Sequence, residues 1–201
     1  MSRCLRVSAV LLFFWGLLLG PASAQSPIPQ RLVIENFDAP QRHAPGSDAP
    51  YGAFSDPDSL GSCFVFFEGA RDKAFGGAGN ALLLQWDVSK PGAFGGYWQE
   101  LRGLNLMDYN YLSFFVRGLS GHETLKVGLR GKANAQYESK IFLHDALKTG
   151  ITTDWQKILI PLGLFSAVEN WGEVSVFSLN FENAFGSGKG QILVDDIGFE
   201  R

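Results

Sequence analysis

The stretch GQILVDDIGFE, Gly190 to Glu200, decides the fold. Ile192, Leu193, Val194, Ile197 and Phe199 are β-branched or bulky, and Gly188 and Gly190 punctuate its start, which is the composition of a strand. Two adjacent carboxylates, Asp195 and Asp196, interrupt it. Successive side chains on a strand point to opposite faces, so one of the pair is expected to face inward. An inward carboxylate requires a cation, a set of N–H donors or a metal ion. RLVIENFD, Arg31 to Asp38, is also apolar with embedded acids. The two stretches are therefore expected to lie side by side and close one sandwich.

Working inward from these ends, the same texture recurs. Phe64–Glu68, Gly95–Leu101, Tyr111–Leu119, Thr124–Lys132, Glu138–Leu143, Trp155–Leu162 and Val176–Asn183 all read as strands, and Gly76–Val88 as a glycine turn running into one. With Leu32–Phe37 and the terminal stretch they make about ten, separated by Gly, Asn, Asp or Ser. Helical periodicity is nearly absent; His144–Lys148 and Leu162–Phe165 offer single turns. The fold class is all-β, an antiparallel sandwich or barrel. Ala39 to Ser62, with four prolines, reads as one long loop carrying Tyr51 and Phe54. The glycines at 76, 77 and 79 precede a strand without a GK[ST] sequence, which argues against a phosphate loop.

Met1 to Ala24 has the pattern of a cleavable signal peptide. Arg3 and Arg6 precede a short apolar run, and Ala22-Ser23-Ala24 is a small-residue cleavage site. That run is shorter than the ~20 residues of a bilayer span. Residues 25–31 read as a disordered leader, and residues 32–201 as one domain, secreted or periplasmic. Without Arg3 and Arg6 the chain carries 15 basic and 20 acidic residues, a balance that argues against nucleic acid as partner. Cys63 is then the one cysteine left, in the apolar run SCFVFF, and reads as a buried inert thiol.

Alternation within the strands separates two faces. Leu125, Val127 and Leu129 oppose Lys126, Gly128 and Arg130; Leu112, Phe114 and Val116 oppose Ser113, Phe115 and Arg117; Phe177, Leu179 and Phe181 oppose Ser178, Asn180 and Glu182. Arg117, Arg130, Asn180 and Glu182 thus share a non-core parity. They read either as a recognition surface bordered by tryptophan or as a salt-bridged outer face. Trp155 reads as packing at a strand edge, and Trp171 as a rim contact or a loop anchor. No catalytic constellation emerges. Asp195 and Asp196 face apart, Glu182 is a lone acid, and His43, His122 and His144 lack metal-ligand spacing. The chain is expected not to be an enzyme.

The order IENFD, GNALLLQW, GYW, YLSFFVRG, WQKILIPLGLF, LNFEN, GQILVDDIGF resembles the galactose-binding-like jelly rolls. It is closest to the family-11 carbohydrate-binding modules and the related domain of complex I intermediate-associated protein 30. The resemblance spans about residues 32–200. It implies a two-sheet antiparallel β-sandwich, or jelly roll, whose concave face binds a polysaccharide or oligosaccharide such as a β-glucan. It places Trp86 and Phe181 on binding aromatics, Tyr97 and Trp98 on the GYW segment, and Tyr51 on an aromatic of the first loop. Phe181 also has core parity. The resemblance further implies a structural calcium ion at Asp38 and Asp195, with Glu35 as an alternative ligand and carbonyls near Gly79 and Asn80. The other reading of Asp195 is a carboxylate capped by turn N–H groups, with no metal. The resulting candidate ligand set is Tyr51, Trp86, Trp98, Arg117, Arg130, Asn180 and Glu182. The alternative function is an envelope or periplasmic assembly protein that holds a protein partner on the same face.

Overall fold

A computed structural model describes residues 30–38, 50–69, 73–133, 136–186 and 188–201. The proposed signal peptide, most of the leader and the first half of the proline-rich loop, with His43, lie outside the described residues. Among the described residues eleven strands follow in order: β1 (Arg31–Glu35), β2 (Tyr51–Ser55), β3 (Ser62–Glu68), β4 (Ala81–Asp87), β5 (Phe94–Leu104), β6 (Tyr111–Gly118), β7 (Lys126–Gly131), β8 (Ser139–Phe142), β9 (Gln156–Pro161), β10 (Val174–Glu182) and β11 (Lys189–Glu200). A single helical turn, α1 (Leu143–Ala146), follows β8.

The strands form two antiparallel sheets. One runs β3-β4-β11-β6-β9 with β1 also on β11; the other runs β2-β5-β10-β7-β8. This is the two-sheet sandwich expected from the sequence. The two acid-bearing stretches do meet, Arg31 pairing with Glu200 and Leu32 with Phe199. The core lies between the sheets, where Leu82, Leu84, Phe114, Val116, Ile192 and Val194 of one face Val127, Leu129, Phe177 and Leu179 of the other. β2 is an addition, because the sequence reading placed Tyr51–Ser55 in a loop. After β2, Asp56 accepts the N–H groups of Leu60 (2.8 Å) and Gly61 (2.6 Å), and this capped turn leads the chain into β3.

Neither member of the Asp195–Asp196 pair faces the space between the sheets, contrary to strict alternation. β11 carries one extra residue here: Asp195 pairs with Phe115 and Gly198 with Ser113. Asp196 takes φ 54° in this bulge. Val194 and Ile197 therefore both stay in the core, and both carboxylates go to the outer side. Asp196 is bound by Arg31 at 2.7 Å. Asp195 is 5 % exposed because the β3–β4 connection folds over it. Phe75 of that connection stacks on Phe115 at 3.6 Å and meets Trp155 edge-on at 5.9 Å. Trp155 is thus a packing residue, as its position before β9 suggested.

Candidate functional site

The strand register lays out the outer face of the five-stranded sheet row by row. Gly52, Trp98, Ser178, Gly128 and Lys140 lie level across β2, β5, β10, β7 and β8. One row on come Phe54, Gly96, Asn180, Lys126 and Phe142. Phe94 and Glu182 follow at one end, and Glu100, Val176 and Arg130 at the other. Gly96, Ser178 and Gly128 keep the middle low. A Cβ at Gly96 would run into the Leu179 carbonyl and the Phe54 ring; one at Gly128 would meet Glu138 and Ser178. The result is a trough with Trp98, Phe54 and Phe94 on one bank and Lys126, Lys140 and Phe142 on the other. It deepens into a cavity of about 290 Å³ among Phe54, Phe94, Lys140, Asn180 and Glu182.

Polar groups on the floor are held in one chain. Asn180 Nδ2 donates to Ser178 Oγ at 2.7 Å, and Ser178 donates in turn to Glu138. Lys140 lies 3.3 Å from Glu138. Among the described residues, buried Asn180 Oδ1 has no hydrogen-bond partner. Lys126 pairs with Glu182 at 2.8 Å and sits 4.0 Å from the Phe185 ring centre. A floor of fixed donors and acceptors beside aromatic rings suits a neutral, hydroxyl-rich ligand with apolar ring faces.

Of the sequence candidates, Trp98, Arg130, Asn180 and Glu182 share this face. Tyr51, Trp86 and Arg117 do not, and neither does Phe181. Trp86 is 2 % exposed, on the inner face of β4, and stacks on Phe181 at 3.8 Å and 7°. Its parity was masked by the Leu82-Leu83-Leu84 run, in which Leu83 is covered from the outer side, with Trp155 packed against its cluster. Phe181, 1 % exposed, is core as its parity indicated. Tyr51 also points inward, packing on Phe67 and Tyr97, and Phe54 takes the outward place on β2. Arg117 lies on the other sheet, where its Nε donates to the Thr153 carbonyl at 2.8 Å. Parity within a strand does not say which sheet the strand joins. Phe94, Lys126, Lys140 and Phe142 were missed; the register reveals them, and no local motif marks them.

At the sandwich edge, Asp38 and Asp195 are close enough for Asp38 to help raise the Asp195 pKa. Burial is the larger cause, and together they push Asp195 up to about 7 against the backbone N–H groups that lower it. Asp195 accepts from Phe75 N (3.1 Å) and Asp196 N (2.7 Å), and Asp38 from Asn80 N (3.0 Å). Glu35 does not join them. It is buried, accepts the Phe37 N–H at 2.8 Å, and adds to the rise in the Tyr97 pKa, whose first cause is burial. Among the described residues no third carboxylate, histidine or cysteine completes a cluster. Cys63 is buried, which pushes its thiol up to about 12 and leaves it protonated.

On this jelly-roll sandwich the class of the chain is supplied by a family-model match: it is a carbohydrate-binding module, a class of non-catalytic domain. The chain belongs to the family Carbohydrate binding domain 30, whose model matches residues 70–201. Its fold is similar to the family 30 module of the cellulosomal cellulase Cel9D-Cel44B of Clostridium thermocellum. That match has 18 % identity over 84 % of this chain and 96 % of that one, and TM-score 0.63. The family 11 module of the cellulosomal cellulase Lic26A-Cel5E of Clostridium thermocellum is similar at 12 % identity, 87 % and 96 % coverage, TM-score 0.62. A family 11 module from Clostridium thermocellum in complex with a β-1,3-1,4-mixed-linked tetrasaccharide matches at 11 % identity, 85 % and 95 % coverage, TM-score 0.59. No curated protein matches the chain.

Proposed function

We propose that the chain binds a neutral β-glucan or related polysaccharide along the outer face of the five-stranded sheet. The observation that carries this reading is the glycine-floored trough between Trp98, Phe54 and Phe94 on one bank and Lys126 and Lys140 on the other. Pyranose rings stack on the aromatic bank while Asn180 and the lysines bond their hydroxyls. The tetrasaccharide bound by the family 11 neighbour supports a β-linked glucan as ligand class. A protein partner is the weaker reading, because the floor is glycine and polar side chains rather than a broad apolar patch. Export follows from the sequence of residues 1–24 and suits a ligand found outside the cell. In this reading a calcium ion tied to Asp38 and Asp195 holds the β3–β4 connection onto the sheet. The two carboxylates suit the oxygen preference of calcium, with remaining ligands to come from backbone carbonyls and water.

The test is titration calorimetry with the β-1,3-1,4-mixed-linked tetrasaccharide. Trp98→Ala is expected to weaken binding by about 1–3 kcal/mol, the scale of a lost contact that leaves polar groups unpaired. Phe94→Ala weakens it in the same direction. Unchanged affinity in both variants would remove the face from the account.

A further inference from the structure

A second cleft, of about 450 Å³, opens at the opposite end of the sandwich. It is bounded by the β5–β6 connection, the turn after β9 and the segment leading into β10. β10 runs from Val174, next to this cleft, to Glu182 at the deep end of the trough. At about 3.3 Å per residue, its nine residues set the two sites roughly 26 Å apart.

The cleft is built rather than incidental. Leu106 N donates to the Trp171 carbonyl at 2.7 Å, Leu162 N to the Asn110 carbonyl at 2.8 Å, and Asn110 N to the Glu200 carbonyl at 2.8 Å. Gly172 N donates to Asn170 Oδ1 at 2.9 Å. The loops are thus tied to one another and to the end of β11, and the cleft exists before a ligand arrives. Leu106 and Leu162 are buried beneath it, while Met107 is 72 % exposed at its side.

Of the polar side chains of the lining, Asn170 is held by the Gly172 N–H and four others are uncommitted. Among the described residues, the side chains of Tyr109, Asn110, Glu169 and Trp171 make no hydrogen bond or ion pair within the protein. The half-buried indole of Trp171 offers ring surface, and the exposed amide of Asn110 and carboxylate of Glu169 offer donors and acceptors, while Tyr109, 9 % exposed and packed in the core, backs the cleft with its phenol. Among the described residues, no lysine, arginine or histidine lines the cleft. The carboxylate of Glu169 would repel an anionic ligand and accept hydrogen bonds from the hydroxyls of a neutral one.

We infer that this cleft is a second saccharide site that takes a neutral mono- or disaccharide unit through Trp171, Tyr109, Asn110 and Glu169. It stands on residues other than those of the sheet face, so the two sites fail or hold separately. Having both lets one domain hold a polysaccharide at the face and a short or terminal unit at its end, with the gain of linked binding when both are engaged.

The test is NMR of the ¹⁵N-labelled chain, titrated separately with cellobiose, xylobiose, mannobiose and galactobiose, with glucuronate as the anionic comparison. At least one neutral sugar is expected to shift the amides of residues 106–110 and 169–172 saturably, in the wild type and equally in Trp98→Ala. Asn110→Ala and Glu169→Gln, both exposed and outside the core, should each weaken that binding about tenfold, the scale of one lost polar contact. Trp171→Ala should abolish it, and glucuronate should leave these amides unmoved. The inference is overturned if no neutral sugar moves them at millimolar concentration. Shifts that vanish in Trp98→Ala, equal binding by Asn110→Ala and Glu169→Gln, or a response to glucuronate as strong as to the neutral sugars would each overturn it too.

Discussion

At the scale of single residues, the deciding question is which way an aromatic points. Trp86 and Phe181 are stacked in the core, so Trp86→Ala is expected to cost about 3–5 kcal/mol of stability, the range for truncating a large buried aromatic. Urea denaturation measures it, and a loss under about 1 kcal/mol would mean the ring is not packed as described. Trp98, half-buried on the outer face, should instead lose affinity with little loss of stability. The sequence showed the right parity for Phe181, Asn180 and Glu182 because their strand alternates cleanly. It hid that of Trp86, because both sides of β4 are apolar: one faces the other sheet and one lies beneath the β3–β4 connection. Asp195 belongs to this scale as well. If calcium binds at Asp38 and Asp195, a chelator lowers the melting temperature and added calcium restores it, since a ligand bound only by the native state stabilises it by mass action. Asp195→Ala should remove the response to chelator. Identical melting of the wild type with and without chelator would leave Asp195 capped by the Phe75 and Asp196 N–H groups alone.

At the scale of elements, the trough depends on what β5 and β7 lack. Gly96→Ala would drive a Cβ into the Leu179 carbonyl on the paired strand and into Phe54, so a loss of about 1–3 kcal/mol is expected, as for other overpacked sites. Gly131 makes the control: it lies in the same sheet, at the end of β7, and a Cβ there meets nothing within 4 Å. Gly131→Ala should stay within about 0.5 kcal/mol. Equal effects in the two variants, read by denaturant midpoint, would contradict the close approach at Gly96. This scale also shows where sequence reading stops. The alternation of β6 and β7 was legible, but nothing in either strand tells that Arg117 and Arg130 belong to different sheets. The short β2 escaped notice because one inward tyrosine and one outward phenylalanine give too little periodicity to set it apart from a proline-rich loop.

At the scale of the whole molecule, β11 holds the six-stranded sheet together by pairing with β1, β4 and β6. A chain ending at residue 188 should therefore fail to fold, shown by loss of the near-ultraviolet circular dichroism and by an expanded hydrodynamic radius. A compact, cooperatively melting product would contradict that arrangement. The pairing of β1 with β11 was legible from the first, because two apolar, acid-bearing stretches flanking a β-rich region have few other ways to be buried. The binding face was legible only in part, since it is assembled from five strands whose order no local pattern encodes. The most direct measurement of the central claim is a crystal structure of the protein with the β-1,3-1,4-mixed-linked tetrasaccharide. The account predicts sugar rings lying against Trp98, Phe54 and Phe94, with hydroxyls bonded to Asn180 and Lys140. Sugar seated instead on the outer face of the six-stranded sheet, with the trough open to solvent, would contradict it.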